Sequence, residues 1–113
     1  MKILFDQGTP IPLRRSLTEY TVDTAYDRGW SALTNGDLLE IAEQNGYDLM
    51  ITTDQNLRYQ QNLASRQISI IVLLSTSWPR IKLHIEAIKN AVDNSFPGAY
   101  QEIIIKRQMT GML

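Results

Sequence analysis

ISIIVLL, at residues 68–74, is the most apolar and β-branched run of the chain. It shows no regular alternation of polar and apolar residues, and such runs are typical of strands buried on both faces of a parallel sheet. We therefore predict a buried strand over residues 68–74, in a sheet that other elements cover on both sides.

Four further strand-like runs lie before and after this one. The predicted strands cover residues 2–5, 20–25, 48–52, 68–74 and 99–106. Helix-like patterns separate them, at residues 12–16, 36–44, about 55–65, and from Ser77 onward. Asn35 is expected to be the N-cap of the second helix, because asparagine side chains bind free N–H groups at helix starts.

This alternation predicts a single α/β domain over residues 1–113, with the tail after about residue 107 expected to be loose. The fold class is a three-layer sandwich, in which helices flank a mostly parallel sheet of about five strands. The 113 residues suffice for one domain with a real hydrophobic core.

The composition excludes several kinds of chemistry. The chain has no cysteine, which rules out a disulfide scaffold, a thiolate zinc site and a cysteine nucleophile. A single histidine, His84, rules out a zinc site built from several histidines. No apolar run approaches the roughly 18 residues of a membrane span, so we expect a soluble, cytoplasmic protein with no membrane partner. The net charge is −1, and any nucleic acid must be bound by a local patch.

Two aspartates follow predicted strands. Asp6 ends the first strand, and Asp54 follows the third in the sequence TTDQN at residues 52–56. Open parallel sheets bind ligands at the carboxyl ends of their strands. Two carboxylates at one sheet edge suit Mg²⁺ or Mn²⁺, which activates water and stabilises a phosphoryl transition state. The alternative is that each aspartate only caps a helix or forms a turn.

Two more acids lie near the start of the second helix. Asp37 and Glu40 are three residues apart and therefore share one helix face. We expect one of them to complete the acidic pocket as a catalytic residue or to position water.

The residues around these acids resemble the PIN-like superfamily. The matching motifs are LFDQ at 4–7, Asn35 with LLEIA at 38–42, and ITTD at 51–54. The resemblance extends over about residues 1–74 and is closest to short bacterial PIN-like proteins. Asn35 stands where the family has an aspartate, and the chain is too short there to hold the family's extra helical glutamate.

This resemblance implies a metal-dependent ribonuclease with Mg²⁺ or Mn²⁺ held by Asp6 and Asp54. Because the superfamily includes the VapC-type toxins, it also implies an RNA substrate, a cognate antitoxin protein and a homodimer. The alternative function is a catalytically silent PIN-like module that binds a partner protein or RNA. The neutral side chain of Asn35 motivates this alternative.

Polar side chains near the aspartates are candidates for binding substrate. They are Gln7, Arg14, Asn35, Asn56 and Arg58. The two arginines are equally explained as solvated residues, and the amide side chains are equally explained as helix caps.

Overall fold

The computed structural model describes residues 1–57 and 63–106. Within them, one five-stranded sheet has the strand order β2-β1-β3-β4-β5, and every pairing is parallel. The strands are β1 (Lys2–Phe5), β2 (Thr21–Thr24), β3 (Leu49–Thr52), β4 (Ser69–Leu73) and β5 (Tyr100–Ile103). Each strand lies within its predicted range, and the predicted α/β three-layer sandwich is confirmed.

The α-helices flanking the sheet are α1 (Asn35–Gln44), α2 (Trp78–Ile81) and α3 (Ile85–Asp93). Short 3-10 helices cover Ile11–Ser16, Leu63–Ser65 and Lys82–His84. None of the helices in the described part of the chain has the length and apolar character needed to cross a bilayer. The helix predicted over about residues 55–65 includes residues 58–62, which lie outside the described residues. The tail predicted to be loose after about residue 107 also lies outside them.

The helix predicted from Ser77 onward is interrupted between α2 and α3. At His84 the backbone has a φ of −117°, outside the helical range. The His84 ring bonds the carbonyl oxygen of Arg80 through Nδ1 (3.0 Å) and accepts from the Lys106 N–H through Nε2 (3.2 Å). These contacts pack His84 between α2 and the residues after β5.

Alternate residues of each strand face two separate hydrophobic cores. Ile3 and Phe5 of β1 pack on the side that carries Ile88 of α3. Leu4 faces the other side, where it packs with Leu39 of α1. All five residues of β4 are buried, as the apolar run at 68–74 predicts.

The connections that follow β1 and β3 run in opposite directions across the sheet. From β1 the chain passes through the 3-10 helix Ile11–Ser16, on the α3 side, to reach the neighbouring strand β2. It then returns through α1 on the opposite side to β3, the other neighbour of β1. Such a switch point is where open parallel sheets bind ligands, outside the carboxyl ends of the strands.

Candidate functional site

Asp6 follows β1 at this switch point and is almost fully buried, with 8% of its surface exposed. Its Oδ1 accepts hydrogen bonds from the Thr9 N–H (3.1 Å) and the Thr9 hydroxyl (2.7 Å). Its Oδ2 accepts a hydrogen bond from the Thr52 hydroxyl. Burial raises the pKa of Asp6 above its ordinary value of 3.8, and the hydrogen bonds from Thr52 and Thr9 oppose that rise.

Asp54 follows β3, the strand next to β1. Its N–H donates to the Thr52 hydroxyl at 3.0 Å, so this one hydroxyl bonds both the Asp6 carboxylate and the main chain of Asp54. The Asp54 carboxylate accepts hydrogen bonds from the Asn56 N–H at Oδ1 (3.0 Å) and from the Asn35 amide at Oδ2. The structure therefore brings Asp6, Asp54 and Asn35 together at one edge of the sheet.

The start of α1 differs from the prediction. Thr34, not Asn35, is the N-cap, and its hydroxyl accepts a hydrogen bond from the Asp37 N–H at 3.2 Å. The expected N-cap role of Asn35 is wrong, because Thr34 already binds that free N–H. Asn35 is instead the first residue of α1, and its amide is free to bond Asp54.

A cavity of about 110 Å³ lies between the loop after β1 and the segment that leads into α1. Asp6 and Gln7 line it from the first of these, and Trp30 and Asn35 line it from the second. The remaining lining residues are Gly8, Ala25, Ser31, Leu33 and Leu38. The cavity thus combines one buried carboxylate and several polar groups with an aromatic and aliphatic surface, which is typical of small-ligand sites.

Gly8 brings the loops after β1 and β3 into close contact. A Cβ at this position would lie 2.6 Å from the hydroxyl oxygen of Thr53, which is closer than any real side chain tolerates. Gly8, Thr9 and Thr52 are site residues that the sequence analysis missed. The signal that identifies them is the small or hydroxyl residue beside each strand-end acid, in DQGT at 6–9 and TTD at 52–54.

The other two predicted acids are engaged elsewhere. Glu40 forms an ion pair with Arg66 at 2.9 Å and accepts a hydrogen bond from Gln44 at 3.2 Å. Asp37 lies in the first turn of α1. Among residues 1–57 and 63–106 no three acids are placed to hold one metal ion, so the structure does not bring all four predicted acids together.

The predicted substrate-binding residues also separate into groups. Gln7 and Asn35 line the cavity, whereas Arg14 forms an exposed ion pair with Asp27 at 3.2 Å. Asn56 is exposed and contacts Asp54 through its main-chain N–H. Arg58 lies outside the described residues.

The chemistry of the site fits a hard cation that keeps several of its waters. Over residues 1–57 and 63–106, no group of three or more histidines and acids is placed to hold a metal ion. An ionised carboxylate has about four acceptor positions, and Asp54 uses two of them. Asp6 accepts hydrogen bonds from the N–H and the hydroxyl of Thr9, from the Thr52 hydroxyl and from the backbone of Gly8. Asp54 therefore retains oxygen lone pairs for a cation, and Mg²⁺ is commonly bound through one or two carboxylates plus water.

The fold and the site define a class of protein: a three-layer α/β domain with two aspartates that follow adjacent strands at the switch point of a parallel sheet. Comparisons of the chain with protein-family models, with curated proteins and with solved structures found no match. Function is therefore inferred from the geometry of the site.

Proposed function

We propose that the chain is a PIN-like, metal-dependent endoribonuclease in which Asp6 and Asp54 hold Mg²⁺ or Mn²⁺. One observation carries this proposal: the Thr52 hydroxyl bonds the Asp6 carboxylate and the Asp54 main chain at once. It places the two acids that match the PIN-like motifs at adjacent strand ends. The switch point of the sheet is also where this fold class binds ligands.

Each residue of the site then has a definite task. A divalent cation bound there supplies an activated water and neutralises charge on a phosphodiester. Asp6 and Asp54 provide the carboxylate oxygens, and hydrogen bonds from Thr9 and Thr52 hold Asp6 in one orientation. Asp37, in the first turn of α1, is the further acid that we propose for positioning water.

The biological setting is proposed from the resemblance alone. The LFDQ and ITTD motifs resemble those of the PIN-like superfamily, which includes the VapC-type toxins, and on this ground we propose that the protein is the cytoplasmic toxin of a toxin–antitoxin pair. Its partners are then RNA, a cognate antitoxin protein and a second copy of the chain. This setting predicts that a neighbouring gene encodes a small antitoxin-like protein and that this protein co-purifies with the chain.

The test is cleavage of a mixed-sequence single-stranded RNA by the purified full chain. The reaction is run with Mn²⁺ and with EDTA, beside the variant Asp54→Asn. We expect cleavage that requires the metal and disappears in the variant. The absence of cleavage with any divalent metal, or equal cleavage by Asp54→Asn, overturns the proposal.

A second function is favoured by a different observation. The Asn35 amide occupies one oxygen of Asp54, and within residues 1–57 and 63–106 no third acid joins the pair. A catalytically silent PIN-like module that binds a partner protein or RNA has this arrangement. Retention of a mixed RNA without cleavage, in the same assay, distinguishes it from the ribonuclease.

A further inference from the structure

We propose that the cavity beside Asp6 is a nucleobase subsite, in which one pyrimidine ring of a single-stranded RNA packs against Trp30. This inference rests on the proposed ribonuclease function and names what that site recognises. Because Asp6 and Trp30 line the same cavity, a base packed against Trp30 lies beside one of the two proposed metal ligands.

The size of the cavity limits how much of a base can enter. Its volume is about 110 Å³. An apolar cavity of about 150 Å³ holds one benzene molecule. The face of one pyrimidine ring therefore enters in part and keeps its outer edge outside, whereas a smaller share of the fused rings of a purine can enter.

The lining offers both surfaces that a base needs. Trp30, Leu33 and Leu38 supply an aromatic and aliphatic surface for the ring. Gln7 and Ser31 supply hydrogen-bonding groups for its edge, since an amide both donates and accepts and a hydroxyl does the same. Stacking on the apolar surface accepts any base, and the polar groups together with the cavity size select among them.

Trp30 is held in place by two side chains that do not line the cavity and by one main-chain hydrogen bond. The Arg28 guanidinium lies over its indole ring, 4.5 Å from the centroid. The Tyr47 ring meets it edge-on, with centroids 6.0 Å apart and an interplanar angle of 79°. The Trp30 N–H of the main chain also donates to the Ala25 carbonyl at 2.8 Å. A ring fixed in this way binds a base with little loss of side-chain entropy.

Arg28 adds an electrostatic contribution to the same place. Its positive charge lies beside the ring that would receive the base, and basic side chains attract the phosphates of a single strand. Arg28 is in turn held by a hydrogen bond to the side-chain oxygen of Asn45 at 3.3 Å.

The test uses Trp30 as its own reporter. The chain has two tryptophans, and Trp78→Phe leaves Trp30 as the single tryptophan, which is excited selectively over tyrosine at long wavelength. Its emission is followed while CMP, UMP, AMP, GMP or ribose 5-phosphate is added in the presence of Mn²⁺. We expect CMP and UMP to change the emission saturably and to bind at least tenfold more tightly than AMP and GMP. Ribose 5-phosphate, which lacks a base, is expected to leave the emission unchanged.

Calorimetric titration of Mn²⁺ into the same Trp78→Phe protein separates the two proposals. Mn²⁺ binding without any response to nucleotides overturns the nucleobase subsite and leaves the ribonuclease standing. Equal binding of purines and pyrimidines, or an equal response to ribose 5-phosphate, also overturns the subsite. Failure of both Mn²⁺ and nucleotide binding overturns the two proposals together. The variant Gln7→Ala is expected to reduce the preference for pyrimidines and to leave Mn²⁺ binding unchanged.

Discussion

The side-chain amide of Asn35 donates a hydrogen bond to the carboxylate of Asp54. This contact joins the first residue of α1 to the segment that follows β3, and it satisfies one oxygen of a carboxylate that we propose as a metal ligand. An amide hydrogen and a cation compete for the same kind of lone pair. We therefore expect Asn35 to limit the affinity of the metal site that we propose at Asp6 and Asp54.

The variant Asn35→Asp tests this limit directly. It removes the amide donor and places a third carboxylate beside Asp54, which suits a hard cation better than two acids do. We expect Mn²⁺ to bind at least tenfold more tightly, a difference of about 1.4 kcal/mol in binding free energy. Calorimetric titration measures the affinity, and RNA cleavage with Mn²⁺ measures the gain in activity.

The matched control for this variant is Asn90→Asp. Asn90 is exposed on α3, on the opposite side of the sheet from α1, so the same chemical change there adds a charge away from the site. We expect its Mn²⁺ affinity to equal that of the wild type. An equal gain in both variants would show a general charge effect and would contradict a ligand position at Asn35.

The raised pKa of Asp6 predicts a pH dependence of stability. In the folded chain Asp6 holds its proton more tightly than in the unfolded chain, because burial raises its pKa above 3.8. The unfolding free energy must then fall as the pH rises from about 4 through the folded-state pKa, by about 1.4 kcal/mol for each unit of the shift. Urea unfolding between pH 4 and 8 measures this fall.

Asp6→Asn removes the ionisable group. The difference in unfolding free energy between wild type and variant, followed against pH, therefore isolates the contribution of Asp6. We expect the variant to be at least as stable as the wild type at pH 7, because burial of the ionised Asp6 carboxylate costs free energy that a neutral amide does not. Asp27→Asn, at an exposed ion pair with Arg14, serves as the control that keeps the pH dependence. If the unfolding free energies of wild type and Asp6→Asn changed in parallel with pH, the pH dependence could not be assigned to Asp6.

Thr52 is predicted to matter through its hydroxyl and not through its shape. Thr52→Val keeps the volume of this fully buried residue but leaves one oxygen of Asp6 without its donor and the Asp54 N–H without its acceptor. We expect a loss of about 1–3 kcal/mol in unfolding free energy, measured by urea denaturation, and weaker Mn²⁺ binding. Thr52→Ser retains the hydroxyl and is expected to keep Mn²⁺ binding. Equal effects of the Val and Ser variants on Mn²⁺ binding would refute the role of the Thr52 hydroxyl.

The close approach of Gly8 to Thr53 predicts a coupled pair of substitutions. Gly8→Ala places a methyl group 2.6 Å from the Thr53 hydroxyl oxygen, so we expect a loss of about 1 kcal/mol in unfolding free energy. Thr53→Ala removes that oxygen, and the next nearest atom of Thr53 lies 3.9 Å away. The double variant should therefore recover most of the stability that Gly8→Ala loses. Strictly additive effects in this double-mutant cycle would contradict the contact.

The strands were predictable from the sequence because their signal is local. The run at 68–74 is apolar throughout and proves buried along the whole of β4. The helix start at Asn35 was misplaced by one residue because Thr34 and Asn35 are both good N-caps, and only the tertiary contact with Asp54 separates their roles.

The path of the chain through the sheet was less accessible to prediction. The connections from β2 to β3 and from β4 to β5 cross the sheet in the same direction, but α1 and α3 lie on opposite faces. These two crossovers therefore have opposite hands, although nearly all such connections in proteins are right-handed. If both crossovers had the usual right hand, α1 and α3 would lie on the same face of the sheet.

The site was predictable only in part for a similar reason. Asp6 and Asp54 follow strands that proved to be neighbours, so reasoning from strand ends located both of them. Glu40 was expected near them from its helical spacing, but its partner Arg66 is 26 residues further along the chain. No local pattern in the sequence indicates that ion pair.

The most direct test of the central claim is a calorimetric titration of Mn²⁺ into the full chain, beside Asp6→Asn and Asp54→Asn, with Asn90→Asp as the control. The structure predicts one Mn²⁺ bound per chain by the wild type and by the control, and none by either aspartate variant. A wild type that binds no Mn²⁺, or aspartate variants that retain its affinity, would contradict a metal site formed by Asp6 and Asp54.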